Sequence, residues 1–309
     1  MKLTRYEGNP IITPTKNWWE EYLVFNPGAT IYQDKVCLLY RAQGRDKISR
    51  FGLAVSSDGF NFERFSEPVF EGDEENKFER LGVEDARITK IGDTYYILYT
   101  AASVYPVKEA EKSAAPSLSS KVPWRIRSTV VKTKDFKTFE RVGIILPDLD
   151  TKDLALFPEK INGKYYMFHR IYPQMYLASS DDLKNWQDLG IVARTREGMW
   201  DSERVGAGPP PIKTSLGWLE FYHGVDQNKI YRLGVMLLDL EDPTKIIYRS
   251  PEPIFEPEEA YEKEGYVPNV VFTCGAVEKE GKYFIYYGAA DKVIGVATVD
   301  KEELLESSK

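Results

Sequence analysis

A tyrosine-rich segment returns five times along the chain, as VCLLYRAQ (36–43), YYILYTAAS (95–103), YYMFHRIYP (165–173), GWLEFYHGVD (217–226) and YFIYYGAAD (283–291). Each follows another apolar run and precedes a third that ends in an acidic turn: GLAVSSDGFNFERF, VVKTKDFKTFERVG, YLASSDDLKNWQDLG, LGVMLLDLEDPTKI and GVATVDKEELL. With Tyr40, Tyr99, Phe168, Tyr222 and Tyr287 as equivalent points, the spacing is about 54 to 69 residues. That is close to the length of a four-stranded propeller blade with variable loops. Alternation of Tyr with aliphatic residues suits any antiparallel sheet, but a generic sandwich does not repeat one three-part order five times. The expected fold is all-β, a five-bladed β-propeller with four-stranded antiparallel blades. No Pro/Gly/Ser linker or shift of composition divides the chain, so residues 1–309 read as one domain.

Composition narrows the class of partner. The formal net charge of -7 opposes a nucleic-acid partner, because binding to that backbone is driven by positive charge. No run of about 18 apolar residues is present for a membrane span, and MKLTRYEGNPIITP lacks the apolar core of a signal peptide. The expectation is a cytoplasmic protein. Cys37 and Cys274 fall inside predicted strands and are too few for a disulfide framework or a metal cluster. Twenty tyrosines and six tryptophans offer stacking faces with a polar handle, which suit sugars as well as cores.

The innermost strands of a propeller surround a central channel, so residues at their entrances converge. Those entrances read FNPGAT (Asn26), VEDARI (Glu84, Asp85), TKDLALFPEKI (Lys152, Asp153), RVGAGPPPI (Arg204) and VPNVVFTCG (Asn269). A lone Asn or Asp there is by default a turn residue, yet every entrance carries a polar or ionisable group. Asp85, flanked by Val83 and Ala86, is expected to face the channel half-buried. Burial raises a carboxyl's pKa and suits it to general acid work; the alternative is a structural pair with Arg87. Cations stand nearby in the pattern. Arg41 ends one tyrosine run, His169 and Arg170 another, and His223 a third. Arg50 and Arg127 each stand eight residues before a turn aspartate, Asp58 and Asp135. Guanidinium forks match phosphate or carboxylate oxygens, so the cations suggest an anion site, with pairing to nearby acids as the alternative for at least one of Arg50 and Arg127.

These segments resemble the β-mannoside phosphorylases of glycoside hydrolase family 130. The resemblance covers the whole chain and rests on GNPIITP, FNPGA, YRAQGRD with SRFGLAVSSDGFNF, VEDARITKIGDTYYILYTA, KDFKTFERVG, KDLALFPEKINGKYYMFHRI and GAGPPPIKTSLGWLEFYHG. It implies a five-bladed propeller that cleaves β-mannosides with inorganic phosphate. Asp85 would be the proton donor, acting through the sugar's own 3-hydroxyl. Arg127, with Arg50, Lys152 and His223, would bind phosphate. Asn26, Arg41 and Asp291 would hold the mannosyl unit, and Glu84, His169 and Arg170 stand among the substrate-binding candidates.

The chemistry accepts that implication. An inverting glycosidase needs an acid and a base roughly 6.5–9.5 Å apart to activate water. Phosphate is already an anionic nucleophile, so one carboxylic acid among several cations is the pattern expected for phosphorolysis, with inversion to α-mannose 1-phosphate. Hydrolysis is the second reading, with Glu203 or Asp153 as its base; a non-catalytic sugar-binding module is the third. No cofactor is expected beyond inorganic phosphate as co-substrate, no metal cluster is evident, and a homo-oligomer is left open. The expected substrates are β-1,4-mannooligosaccharides. The polar insertion at 103–124 is expected to shape the acceptor subsite or to meet a neighbouring subunit.

Overall fold

The computed structural model describes residues 1–113 and 122–309. Five antiparallel sheets follow one another along the chain. Blade 1 comprises Leu23–Tyr32, Lys35–Gln43, Ser49–Ser56 and Glu63–Arg64. Blade 2 comprises Val83–Ile91, Thr94–Val104, Trp124–Thr133 and Glu140–Ile144. Blade 3 comprises Lys152–Leu156, Tyr165–Ile171, Gln174–Ser180 and Gln187–Ala193. Blade 4 comprises Arg204–Ala207, Trp218–Val225, Tyr231–Leu238 and Ile246–Arg249, with Ile212–Lys213 as a short addition. Blade 5 holds Val271–Lys279, Lys282–Ala289 and Val293–Asp300, and its outer strand is Thr4–Arg5 from the other end of the chain. The expected five-bladed propeller is therefore the observed fold.

The closure of blade 5 departs from the sequence pattern. The fifth acidic tail reads like the four before it, yet Lys301–Glu306 is helical and Thr4–Arg5 pairs with Thr298 and Ala297 instead. The helix starts because Asp300 accepts the N–H groups of Glu302 and Glu303 at 2.9 and 3.2 Å. The same geometry caps the turn after the third strand of every other blade. Asp58, Asp135, Asp182 and Asp239 each accept from the backbone two and three residues ahead. The recurrent aspartate is thus a turn device, whatever follows it.

The recurrent tyrosine also has a structural partner. In four blades its hydroxyl donates to a buried carboxylate from the segment leading into that blade, and an arginine of the outer strand clasps the same group. These triads are Tyr40–Glu20–Arg64, Tyr99–Glu79–Arg141, Tyr222–Asp201–Arg249 and Tyr287–Glu262–Arg5. A carboxylate so far from water is tolerated only when paired and hydrogen-bonded. Blade 3 has Phe168 at this point and no hydroxyl to offer. Between blades the rings interlock, as where Phe51, Phe70 and Tyr99 meet at 5.7–6.1 Å. Burying each such ring contributes about 1.5–3 kcal/mol. Cys37 and Cys274 are buried free thiols within strands.

The insertion expected at 103–124 begins with a 3-10 turn at Val107–Lys112. Its middle, 114–121, lies outside the described residues, while Val122 and Trp124 at its far end line the central cavity.

Candidate active site

The entrances of three inner strands share one backbone irregularity. Pairing slips between Phe25 and Gly28, between Glu84 and Arg87, and between Lys152 and Ala155. Inside each slip stands a residue in the left-handed region: Asn26 at φ 47°, Asp85 at φ 56° and Asp153 at φ 56°. Asn and Asp tolerate that conformation best among residues with a Cβ. A bulge there breaks the in-out alternation of the strand and re-aims one side chain. All three residues line a cavity of about 530 Å³ at the channel mouth. A glycine completes the arrangement: a Cβ on Gly288 would stand 2.3 Å from Asn26 Oδ1.

One side of the cavity is acidic. Asp85, 4% exposed, accepts from Asn26 Nδ2 at 2.9 Å and from Arg41 Nη1 at 3.3 Å through the same oxygen. Arg41 also donates to Glu84 at 2.6 Å and lies over the Phe25 ring. Arg87 does not take the Asp85 carboxylate. It is buried beneath, donating to the Asp85 main-chain oxygen at 2.9 Å and to the carbonyls of Ala207 and Gly208. Asp291 closes this side from a hairpin turn, at φ 51° after Ala290 at φ 47°.

The three carboxyls titrate differently. Burial pushes Asp85 upward, but the charges of Arg41, Lys152 and Arg87 and the Asn26 bond outweigh it and hold the group below the usual carboxylate range. The expectation that burial would raise Asp85 is corrected here, because the cations facing it outweigh burial. Burial dominates at Glu84, which is raised, and at Asp291, which is pushed up to about 7. The neighbours of Asp85 therefore hold a proton more tightly than Asp85 does.

The other side is basic. Asp153 Oδ2 faces Arg170 Nη1 at 2.9 Å and His223 Nε2 at 3.5 Å, while its Oδ1 lies 3.5 Å from Arg87. Burial raises Asp153, but the charges of Arg170, Arg87 and Lys152 more than offset that and hold it below the usual carboxylate range. Burial, with the cations around it, pushes His223 well below its ordinary value, so it accepts from Arg170 as a neutral ring at 3.1 Å. Lys152 and Arg204 line the cavity beside this cluster, and neither forms an ion pair among the described residues. Arg204 donates to Tyr231 Oη at 2.8 Å, and its buried Nε has no partner among the described residues. Arg170 is matched by Asp153, whereas Lys152 and Arg204 stand in the wall without an ion pair among the described residues, an arrangement suited to an anion.

Comparison with known proteins decides the family. The family-130 glycoside hydrolase description, β-1,4-mannooligosaccharide phosphorylase, matches residues 3–309. The chain belongs to glycoside hydrolase family 130. It is 44% identical to the 1,2-β-oligomannan phosphorylase of Thermoanaerobacter sp. (strain X514), over 98% of this chain and 99% of that one. It is 45% identical to the β-1,2-mannobiose phosphorylase of the same organism, with 98% and 99% covered. Among solved structures it is similar to the β-1,2-mannobiose phosphorylase of Listeria innocua in complex with β-1,2-mannobiose, at a TM-score of 0.86 and 32% identity over 100% and 99% of the chains. The chain is accordingly a glycoside phosphorylase, and its reaction class is phosphorolysis of β-mannosides.

Measured against the family-130 resemblance, the site residues divide into three groups. Asn26, Arg41, Glu84, Asp85, Lys152, Arg170 and Asp291 meet in the cavity wall. His223 lies one layer below, against Asp153 and Arg170. Arg50, Arg127 and His169 are outside the lining. Arg50 is held by Asp46 and Glu71 at 2.7 Å each and lies over Trp18. Arg127 pairs with Asp150, which itself lines the cavity, and His169 is buried between Thr151 and Asp188. Of the four phosphate candidates, Lys152 stands in the wall and His223 beneath it, while Arg50 and Arg127 are engaged by the local carboxylates Asp46, Glu71 and Asp150, the alternative weighed for them from sequence. The sequence reading assigned no role to Arg204, Tyr172, Tyr231 or Phe272, which complete the wall. Arg204 was marked by its place at a strand entrance; the aromatic residues carried no signal distinct from core packing.

The Asp291 carboxyl gives the family-130 site a pH dependence. The folded state holds this proton more tightly than the unfolded chain, so stability falls as pH rises from about 4 and the loss is complete above about 7. Ionisation also adds negative charge beside Asp85 and should oppose phosphate binding. Above pH 7, kcat/KM for phosphate is expected to fall more steeply in the wild type than in Asp291→Asn. Comparing the two profiles removes phosphate's own titration; superimposable profiles would reject the assignment.

Proposed function

We propose that this chain phosphorolyses β-1,2-linked mannooligosaccharides with inversion, releasing α-mannose 1-phosphate, with Asp85 as proton donor and inorganic phosphate as the only co-substrate. The observation that carries this reading is the division of one cavity into a carboxylate side around Asp85 and a cationic side where Lys152 and Arg204 form no ion pair among the described residues. Asn26, Arg41, Glu84 and Asp291 offer hydrogen bonds to a mannosyl unit; Lys152, Arg170 and Arg204 offer charge to phosphate. The β-1,2 linkage takes precedence over the β-1,4 linkage expected from sequence because the relatives at 44% and 45% identity are both β-1,2 enzymes by name.

Catalysis needs a proton on Asp85, whose carboxyl the facing cations hold below the usual range. Phosphate arriving beside Lys152 and Arg170 would screen the cations that hold Asp85 low and so raise its pKa in the ternary complex. The sugar's 3-hydroxyl would pass that proton to the glycosidic oxygen while phosphate attacks from the opposite face. Neither base considered for hydrolysis suits water activation. Glu203 lies off the cavity and is bonded to Tyr172 and Lys229, and Asp153 is paired with Arg170 and held so far below the usual carboxylate range that it is a weak base. Two buried thiols fit a reducing compartment such as the cytoplasm.

The test is incubation with β-1,2- and β-1,4-mannobiose, with and without phosphate, assaying mannose 1-phosphate and free mannose separately. Phosphate-dependent mannose 1-phosphate from the β-1,2 sugar is the expected result. Faster cleavage of the β-1,4 sugar would return the linkage to the sequence expectation, and free mannose without phosphate would make the protein a hydrolase.

A further inference from the structure

Two tyrosine rings stand at the cavity mouth without a place in the core. Tyr266 lines the cavity yet is 52% exposed, and Tyr22 beside it is 39% exposed. Their centroids are 6.1 Å apart with planes at 76°, so Tyr22 braces Tyr266 edge to face. Both sit on anchored backbone. The Tyr22 N–H donates to Gln43 O and the Val267 N–H to Ala290 O, each at 3.1 Å. Gly265 lets this segment lie against the hairpin that carries Asp291, since a Cβ there would stand 2.3 Å from Ala290 O. The ring of Tyr266 is thus held at a fixed place relative to the carboxylate side of the cavity.

We propose that Tyr266, braced by Tyr22, is the platform for a mannosyl unit beyond the two that flank the cleaved bond, and that it sets the preference for mannotriose over mannobiose. The proposal rests on the β-mannoside reading above. A mannopyranose ring has a face of C–H bonds and a rim of hydroxyls. An exposed aromatic face covers the first and leaves the second in water, at low entropic cost because tyrosine has few rotatable bonds. Inside the cavity, charged groups can recognise hydroxyls individually; the exposed Tyr266 offers a flat face instead. The occupant is continuous with the sugar in the cavity, because the ring itself forms part of the cavity wall.

The test is kcat/KM for mannobiose and mannotriose of the cleaved linkage, measured for the wild type, Tyr266→Ala and Tyr266→Phe, with the product identified in each case. The triose-to-biose ratio is expected to fall roughly fivefold to tenfold in Tyr266→Ala, chiefly through KM, and to persist in Tyr266→Phe, which keeps the face. Tyr22→Ala should move the ratio the same way by a smaller factor. An unchanged ratio in Tyr266→Ala overturns the proposal. So does a change of oligomeric mass by light scattering with no change of ratio, which would assign the ring to a contact between copies. Free mannose as product would overturn phosphorolysis alone, since the ratio can be read from either product. A wild type that cleaves neither sugar would overturn both readings.

Discussion

Asp85→Asn is expected to lower kcat for phosphorolysis by about 10²–10⁴-fold while the fold and sugar binding persist. Asparagine tolerates the left-handed backbone at this position, and its oxygen can still accept from Asn26 and Arg41 as the carboxylate does. What it lacks is the proton. Turnover with mannobiose and phosphate, alongside calorimetric titration with the sugar, separates the possibilities. A large loss of kcat with retained affinity supports the donor role. Retained turnover would move the acid to Glu84 or Asp291, the two neighbours whose carboxyls burial raises.

Asp153→Asn is expected to destabilise the folded state by about 3–5 kcal/mol, the typical result of removing one partner from a buried ion pair. The carboxylate is 1% exposed, and without its charge Arg170 and Arg87 remain buried beside a neutral His223. Asparagine again suits the backbone at φ 56°, so the loss reports charge rather than strain. The measurement is the midpoint of denaturant unfolding at constant slope. Added phosphate should restore more stability to Asp153→Asn than to the wild type, because an anion bound at Lys152, Arg170 and Arg204 would take over part of the missing compensation. Equal phosphate effects on both proteins would place the anion elsewhere.

Much of the architecture was legible in the repeat. Tyr40, Tyr99, Tyr222 and Tyr287 recur because each donates to a buried carboxylate in its own blade, and the turn aspartates recur because each caps two backbone N–H groups. Such local duties leave a period in the sequence. The exchange of the fifth outer strand for Thr4–Arg5 left none, since a two-residue strand has no pattern of its own and gains its place only from the Val293–Asp300 edge it covers.

The site divides along the same line. Asn26, Asp85 and Asp153 could be marked from sequence because a polar residue at the head of an apolar strand is a local anomaly, and the bulge that explains it is local too. Arg50 and Arg127 carried an equally regular signal and yet are engaged by Asp46, Glu71 and Asp150. By itself, the sequence determined the blade, its turns and the identity of the residues at the channel mouth, since these depend on neighbours within a few residues or one hairpin. Only the tertiary structure decided which charges meet, which are already matched, and which carboxyl holds a proton more tightly. Those outcomes depend on distances between blades and on the water excluded between them, and burial can raise Asp291 while the same cavity's cations hold Asp85 low.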